Sequence, residues 1–140
     1  MNKLLEIGLT QYGVKEIVGG EHNPVILGYL DDIGFGYIND DETPWCSTFV
    51  NWCALKAGLE RTGKLNARSW LDIGEPVENG QLGDVVIFKR GTKEWQGHVA
   101  IYIKETPNYI YVLGGNQGNQ VNIRQYPKSD LLGFRRLRPA

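Results

Sequence analysis

The chain has 140 residues, 41% of them hydrophobic and 22% charged, with a formal net charge of −1. That length suits one domain spanning 1–140 with a core of its own. The near-neutral balance leaves no general electrostatic handle for nucleic acid, and no apolar run reaches transmembrane length, so neither nucleic-acid binding nor membrane insertion is expected.

Residues Asn2 to Val18 predict an opening helix with Leu4, Leu5, Leu9 and Tyr12 on one side, interrupted by Gly8 and Gly13. The same stretch, with Glu6 in its midst and no small-residue cleavage site, does not read as a signal peptide, so synthesis in a cytoplasm is expected. After a loop at 19–23, Asn23 is placed to cap a second helix with Pro24 at its first position, ending near Gly34. A third helix follows over Thr43-Pro44-Trp45-Cys46-Ser47-Thr48-Phe49-Val50-Asn51-Trp52-Cys53. Thr43 is the expected N-cap and Pro44 the first helical residue, which makes Cys46 the third; Gly58 supplies the stop. Ala67 to Ile73 reads as a short helix closed by Gly74 and Pro76. From Gly83 onwards the pattern changes to short β-rich runs at 84–89, 99–104, 109–113, 121–125 and 134–137, separated by turn residues. Helices first and strands afterwards predict an α+β domain with an antiparallel sheet.

A thiol in the first turn of a helix sits beside free amides and the positive end of the macrodipole, which favours the nucleophilic thiolate. The plain alternative for Cys46 is a small buried hydrophobe. Cys53 lies seven residues on, roughly 10 Å along the axis, which is too far for a disulfide or for chelating one zinc ion. Two histidines could serve as base. His22 falls in a loop and reads as a solvated side chain, whereas His98 opens the strand 99–104 on a sheet that would pack against the cysteine helix. A third polar group, holding the imidazole in one tautomer, is expected from Gly114-Gly115-Asn116-Gln117-Gly118 at the end of the next strand. Asn116 is the first choice and Gln117 the residue a one-position slip would substitute. That segment also reads simply as a glycine-rich hairpin loop, and Asp84 as either a polar candidate or a turn residue.

These segments together, Asp41-Glu42-Thr43-Pro44-Trp45-Cys46-Ser47 through Trp52-Cys53, Gly83-Asp84-Val85-Val86, Gly97-His98-Val99-Ala100 and Leu113-Gly114-Gly115-Asn116-Gln117, resemble the CHAP and NlpC-type cysteine hydrolases of bacterial cell walls. Residues 13 to 26 are similar to single-domain phage endolysin members of that group. The resemblance implies a papain-like α+β fold, with the nucleophile helix among N-terminal helices packed on a C-terminal antiparallel sheet. It implies cleavage of a peptidoglycan amide, as an endopeptidase or an N-acetylmuramoyl-L-alanine amidase. Cys46 matches the nucleophile, His98 the base, and Asn116 the third position, where relatives also carry Glu, Asp or His. Trp45, Asp41, Gln117 and Trp70 are expected to bind substrate, with Trp52, Trp95 and Tyr102 as further walls of a groove. No metal or cofactor is expected. A monomer acting on the wall, with a separate release or export factor, completes the expectation; a transferase or a non-enzymatic module on the same fold are its rivals.

Overall fold

A computed structural model of the chain describes residues 2–17, 22–37, 45–94 and 96–140. Thr43, Pro44, Asp41 and Trp95 lie outside the described residues.

Three helices precede the sheet. Helix α1 (Lys3–Leu9) is capped by the Asn2 side chain, which accepts from the Leu5 amide. It is shorter than the expected 2–18 helix. Gly13 turns the backbone at φ 92°, and the following residues pair instead with a distant loop through Gly13 N–H to Val121 O and Val121 N–H to Val14 O. Tyr12, expected on the buried side, is exposed. Helix α2 (Pro24–Asp32) forms as its Asn-Pro start dictates, with the Asn23 side chain accepting from Val25 N–H. Helix α3 (Cys46–Ala57) is central: Cys46, Ser47, Thr48, Phe49, Val50, Asn51, Cys53 and Ala54 are all buried. Gly58 ends it in the left-handed conformation at φ 72°.

The strands are β1 (Glu75–Val77), β2 (Val85–Lys89), β3 (Gly97–Glu105), β4 (Tyr109–Gly114), β5 (Asn122–Pro127) and β6 (Leu131–Arg136). They form one antiparallel sheet in the order β1-β6-β2-β3-β4-β5. Strand β1 contains Pro76, which was expected only to end a helix. As an edge strand it tolerates the missing N–H. Residues Ala67–Asp72 form a 3-10 helix rather than an α-helix.

Alternation along the strands divides the sheet into two faces. Val85, Ile87, Val99, Ile101 and Leu113 pack with α1, α2 and α3 in the larger core. Val86, Phe88, Ala100, Tyr102, Ile110, Val112 and Phe134 form a smaller core on the other face. Asp84 acts as structure: its buried carboxylate takes two bonds from Arg136, both at 2.9 Å, and one from Gln81 N–H. Of its two readings, the turn into a strand is the one observed.

Candidate active site

Cys46 is the first residue of α3, not the third, with Trp45 in the N-cap position at φ −124°, ψ 19°. The helical hydrogen bonding starts at Phe49 N–H to Trp45 O, so the amides of Cys46 and Ser47 belong to the unpaired first turn. Both lie by the Cys46 sulfur, and so does the backbone N–H of Val99. This last contact depends on how β3 and β4 part. Their pairing ends at Ile101↔Leu113, and past Gly114 the chain leaves the sheet. It runs so close to α3 that a Cβ on Gly115 would come within 2.7 Å of Phe49 Cβ and 2.8 Å of the Trp45 ring. Glycine is required there by lack of space. The helix N-terminus thereby reaches the β3 backbone at the residue after His98.

His98 is only 1% exposed, and its ring Nε2 lies 2.9 Å from Gln117 Oε1. Gln117 is 1% exposed and is itself held: its amide nitrogen donates to Asn122 O at 2.8 Å and to Asn122 Oδ1 at 3.1 Å. With its donors committed to Asn122, the amide turns its oxygen to the ring. Nε2 must therefore carry the proton, leaving the lone pair on Nδ1. Nδ1 is buried and has no hydrogen-bond partner. A buried acceptor left open in this way costs stability and marks a place where a proton can be received.

Asn116, preferred from the sequence, does not hold the imidazole. It adopts φ 59° and turns the chain, which presents the next residue, Gln117, to His98. Asparagine tolerates that left-handed conformation better than most residues, which explains its presence.

The expectation of a thiolate also needs correction. Burial pushes the Cys46 thiol up, and this outweighs the three amides and the positive charge of Arg90 that act the other way. Burial likewise pushes His98 down to about 4, with Arg90 adding to the fall and the Gln117 bond opposing it. At neutral pH the resting pair is thus neutral thiol and neutral imidazole.

The aromatic groove is not what Trp45 and Trp70 build. Trp45 is buried and its indole N–H donates to Glu16 at 2.7 Å; Trp70 is buried and donates to Ser47 Oγ at 2.9 Å. Trp52 donates to Asp32, and the Tyr102 hydroxyl to Glu105. Each of these three indoles has a hydrogen-bond partner within the chain, as large aromatic rings with one polar atom usually do. His22 is half-buried and lies in the loop before α2. Cys53 is fully buried and unbridged.

Two residues the sequence did not single out join the site. Tyr126 of β5 lies against His98, with ring centroids 5.0 Å apart, and near the Cys46 sulfur. Arg90, just past β2, reaches the Tyr126 hydroxyl and acts electrostatically on both Cys46 and His98. Their signal in the sequence was only strand periodicity, which placed no partner beside them.

A profile of the CHAP domain matches residues 38–116. No curated protein matches the chain significantly. Among solved structures, the chain is similar to a Staphylococcus aureus protein described as similar to a lipoprotein of the NLP/P60 family, with a TM-score of 0.59 and 21% identity. The match covers 96% of this chain and 40% of that one. At that identity the likeness is one of fold: helices and an antiparallel sheet in the papain-like α+β arrangement.

Proposed function

The chain belongs to the CHAP domain family, whose members are cell-wall peptidases and amidases, and on that premise we propose that it cleaves a peptidoglycan amide through Cys46. The observation that carries this reading is the orphaned Nδ1 of His98, held in the accepting tautomer by Gln117 beside the strand residue that contacts the Cys46 sulfur.

In this mechanism the thiol proton passes to His98 Nδ1 as sulfur attacks the amide carbon. The Cys46 amide in the open first turn donates to the developing oxyanion. Gln117 Oε1 accepts from Nε2–H and so stabilises the imidazolium and its orientation. His98 returns the proton to the leaving amine as the C–N bond breaks, giving a thioester. Water, deprotonated by His98, then releases the acid and restores the thiol. A neutral resting pair suits a buried site, because charge separation is deferred until the substrate carbonyl is there to use it.

For the setting we propose lysis of bacteria in the manner of a phage endolysin, acting as a monomer; the similarity of residues 13 to 26 to phage members supports it. The test is clearing of bacteria stripped of any outer membrane. Wild type should clear; Cys46→Ala should lose about a thousandfold or more, and Cys53→Ala should keep its rate while losing about 1–2 kcal/mol of stability from a packing defect. Clearing by Cys46→Ala would sink the mechanism.

A further inference from the structure

The sheet face that carries His98 also carries two arginines with no acidic partner among the described residues. Cross-strand partners share a face, which allows the register to be followed outward. Phe88 pairs with His98, Tyr102 with Val112, Val112 with Arg124, and Ile110 with Tyr126. His98 and Tyr102 are four residues apart on one strand, so His98, Arg124 and Tyr126 all emerge on the same side. Arg90 stands two residues past Phe88 on that side and reaches the Tyr126 hydroxyl. Tyr126 lies between, its ring centroid 5.0 Å from those of both Phe88 and His98. Arg124 lies against Gly118, next to the residue that orients His98. Both arginines are exposed, and among the described residues the ion pairs are Lys56–Asp32, Lys128–Glu105 and Arg136–Asp84, none of which involves them.

We propose that Arg90 and Arg124, flanking Tyr126, form a carboxylate-binding subsite that selects peptides bearing a free acid close to the scissile amide. The inference rests on the peptidoglycan reading above and names which stem peptides that site takes. Guanidinium groups bind planar carboxylates through paired N–H donors, and the Tyr126 hydroxyl, facing Arg90 through its oxygen, keeps its own hydrogen to donate. Stem peptides present such acids, which some walls cap as amides; the subsite therefore reads the acid–amide difference. Two cations in a chain of net charge −1 have a use here that solubility does not require.

The test uses the full chain with Cys46→Ala, so that peptide survives, and two synthetic stem tetrapeptides differing only in a free or amidated glutamate carboxyl. Binding is followed by NMR titration, with Arg90→Gln, Arg124→Gln and Arg90→Lys each added. The acid peptide should bind about tenfold tighter than its amide, and Arg90→Gln with Arg124→Gln should erase the difference, the acid peptide losing more affinity than the amide; Arg90→Lys should recover part of it. Equal affinity for the two peptides, binding of neither, or a preference that survives the double Arg→Gln change would overturn the subsite. An equal loss for both peptides would also overturn it, since that is what a merely structural role gives. Glycerol phosphate oligomers, added as competitor, should displace the acid peptide weakly; displacement at equal concentration would make the site a general anion patch and overturn the selection. Clearing by wild type is scored separately: a chain that prefers the acid peptide yet clears no wall contradicts the hydrolase and leaves the subsite standing.

Discussion

Two polar clusters flank the start of α3, and they differ in one respect. Behind the helix, Ser47, Asn51 and Trp70 complete their hydrogen bonding. Ser47 Oγ donates to Lys64 O at 2.7 Å and accepts from Trp70, while Asn51 bridges Ser47 O, Lys64 O and the Gly63 amide. In front, His98 is satisfied at Nε2 and open at Nδ1, one residue before the Val99 backbone that meets the Cys46 sulfur. The side chains of both clusters are buried, so the contrast is in what has been left unmade. A completed network rigidifies; an incomplete one at equal depth holds a group ready to take a proton. The first fixes where Cys46 stands; the second, on the proposed mechanism, takes its proton.

The contrast can be broken from either side. Asn51→Ala should cost the most stability, about 3 kcal/mol, because it strands the Gly63 amide and leaves Ser47 and Lys64 carbonyls short of a donor. Chemical denaturation measures it, and a loss under 1 kcal/mol would mean that the rear cluster does not brace the helix. A loss of similar size should accompany acidification. The folded state holds His98 down to about 4 against an ordinary 6.5. Above pH 6.5 both states are neutral there and the contribution is complete. Between pH 6.5 and about 4 only the unfolded chain takes the proton, so stability falls with pH by something on the order of 3 kcal/mol, then levels. Denaturation curves of wild type against His98→Asn isolate that window; parallel curves would refute it. The smallest effect sharpens the front cluster. Gln117→Leu should lower the clearing rate by roughly ten- to a hundredfold with the fold intact, whereas Asn116→Gly should change it by less than about twofold. The reverse order would return the orienting role to Asn116.

Much of this was legible because it depends on local chemistry. The Asn23-Pro24 start, the Gly58 stop and the strand runs beginning near 84, 99, 109 and 121 all express backbone preferences carried by the residues themselves. That a cysteine stands at a helix start and a histidine near a strand start was legible too, since each sits at an element boundary. Less legible was anything set by a neighbour from elsewhere in the chain. The helix expected over 2–18 stops at Leu9 because residues 13–16 find backbone partners at 119–121. Strand β1 exists because β6 offers it an edge. Trp45 and Trp70 are expected from the sequence to meet substrate, although single tryptophans are more often core, and Glu16 and Ser47 hold their indoles inside the protein.

By itself the sequence determined the α+β order, a helix with Cys46 in its first turn and a strand beginning beside His98, because proline and glycine boundaries and two-residue periodicity act over a few residues. Only the tertiary structure decided that Gln117 rather than its neighbour meets the imidazole, since a single left-handed residue at 116 rotates the chain by one position. It also decided the charge state of the pair. A helix N-terminus favours thiolate locally, but burial removes water from both groups, and that loss outweighs the local field.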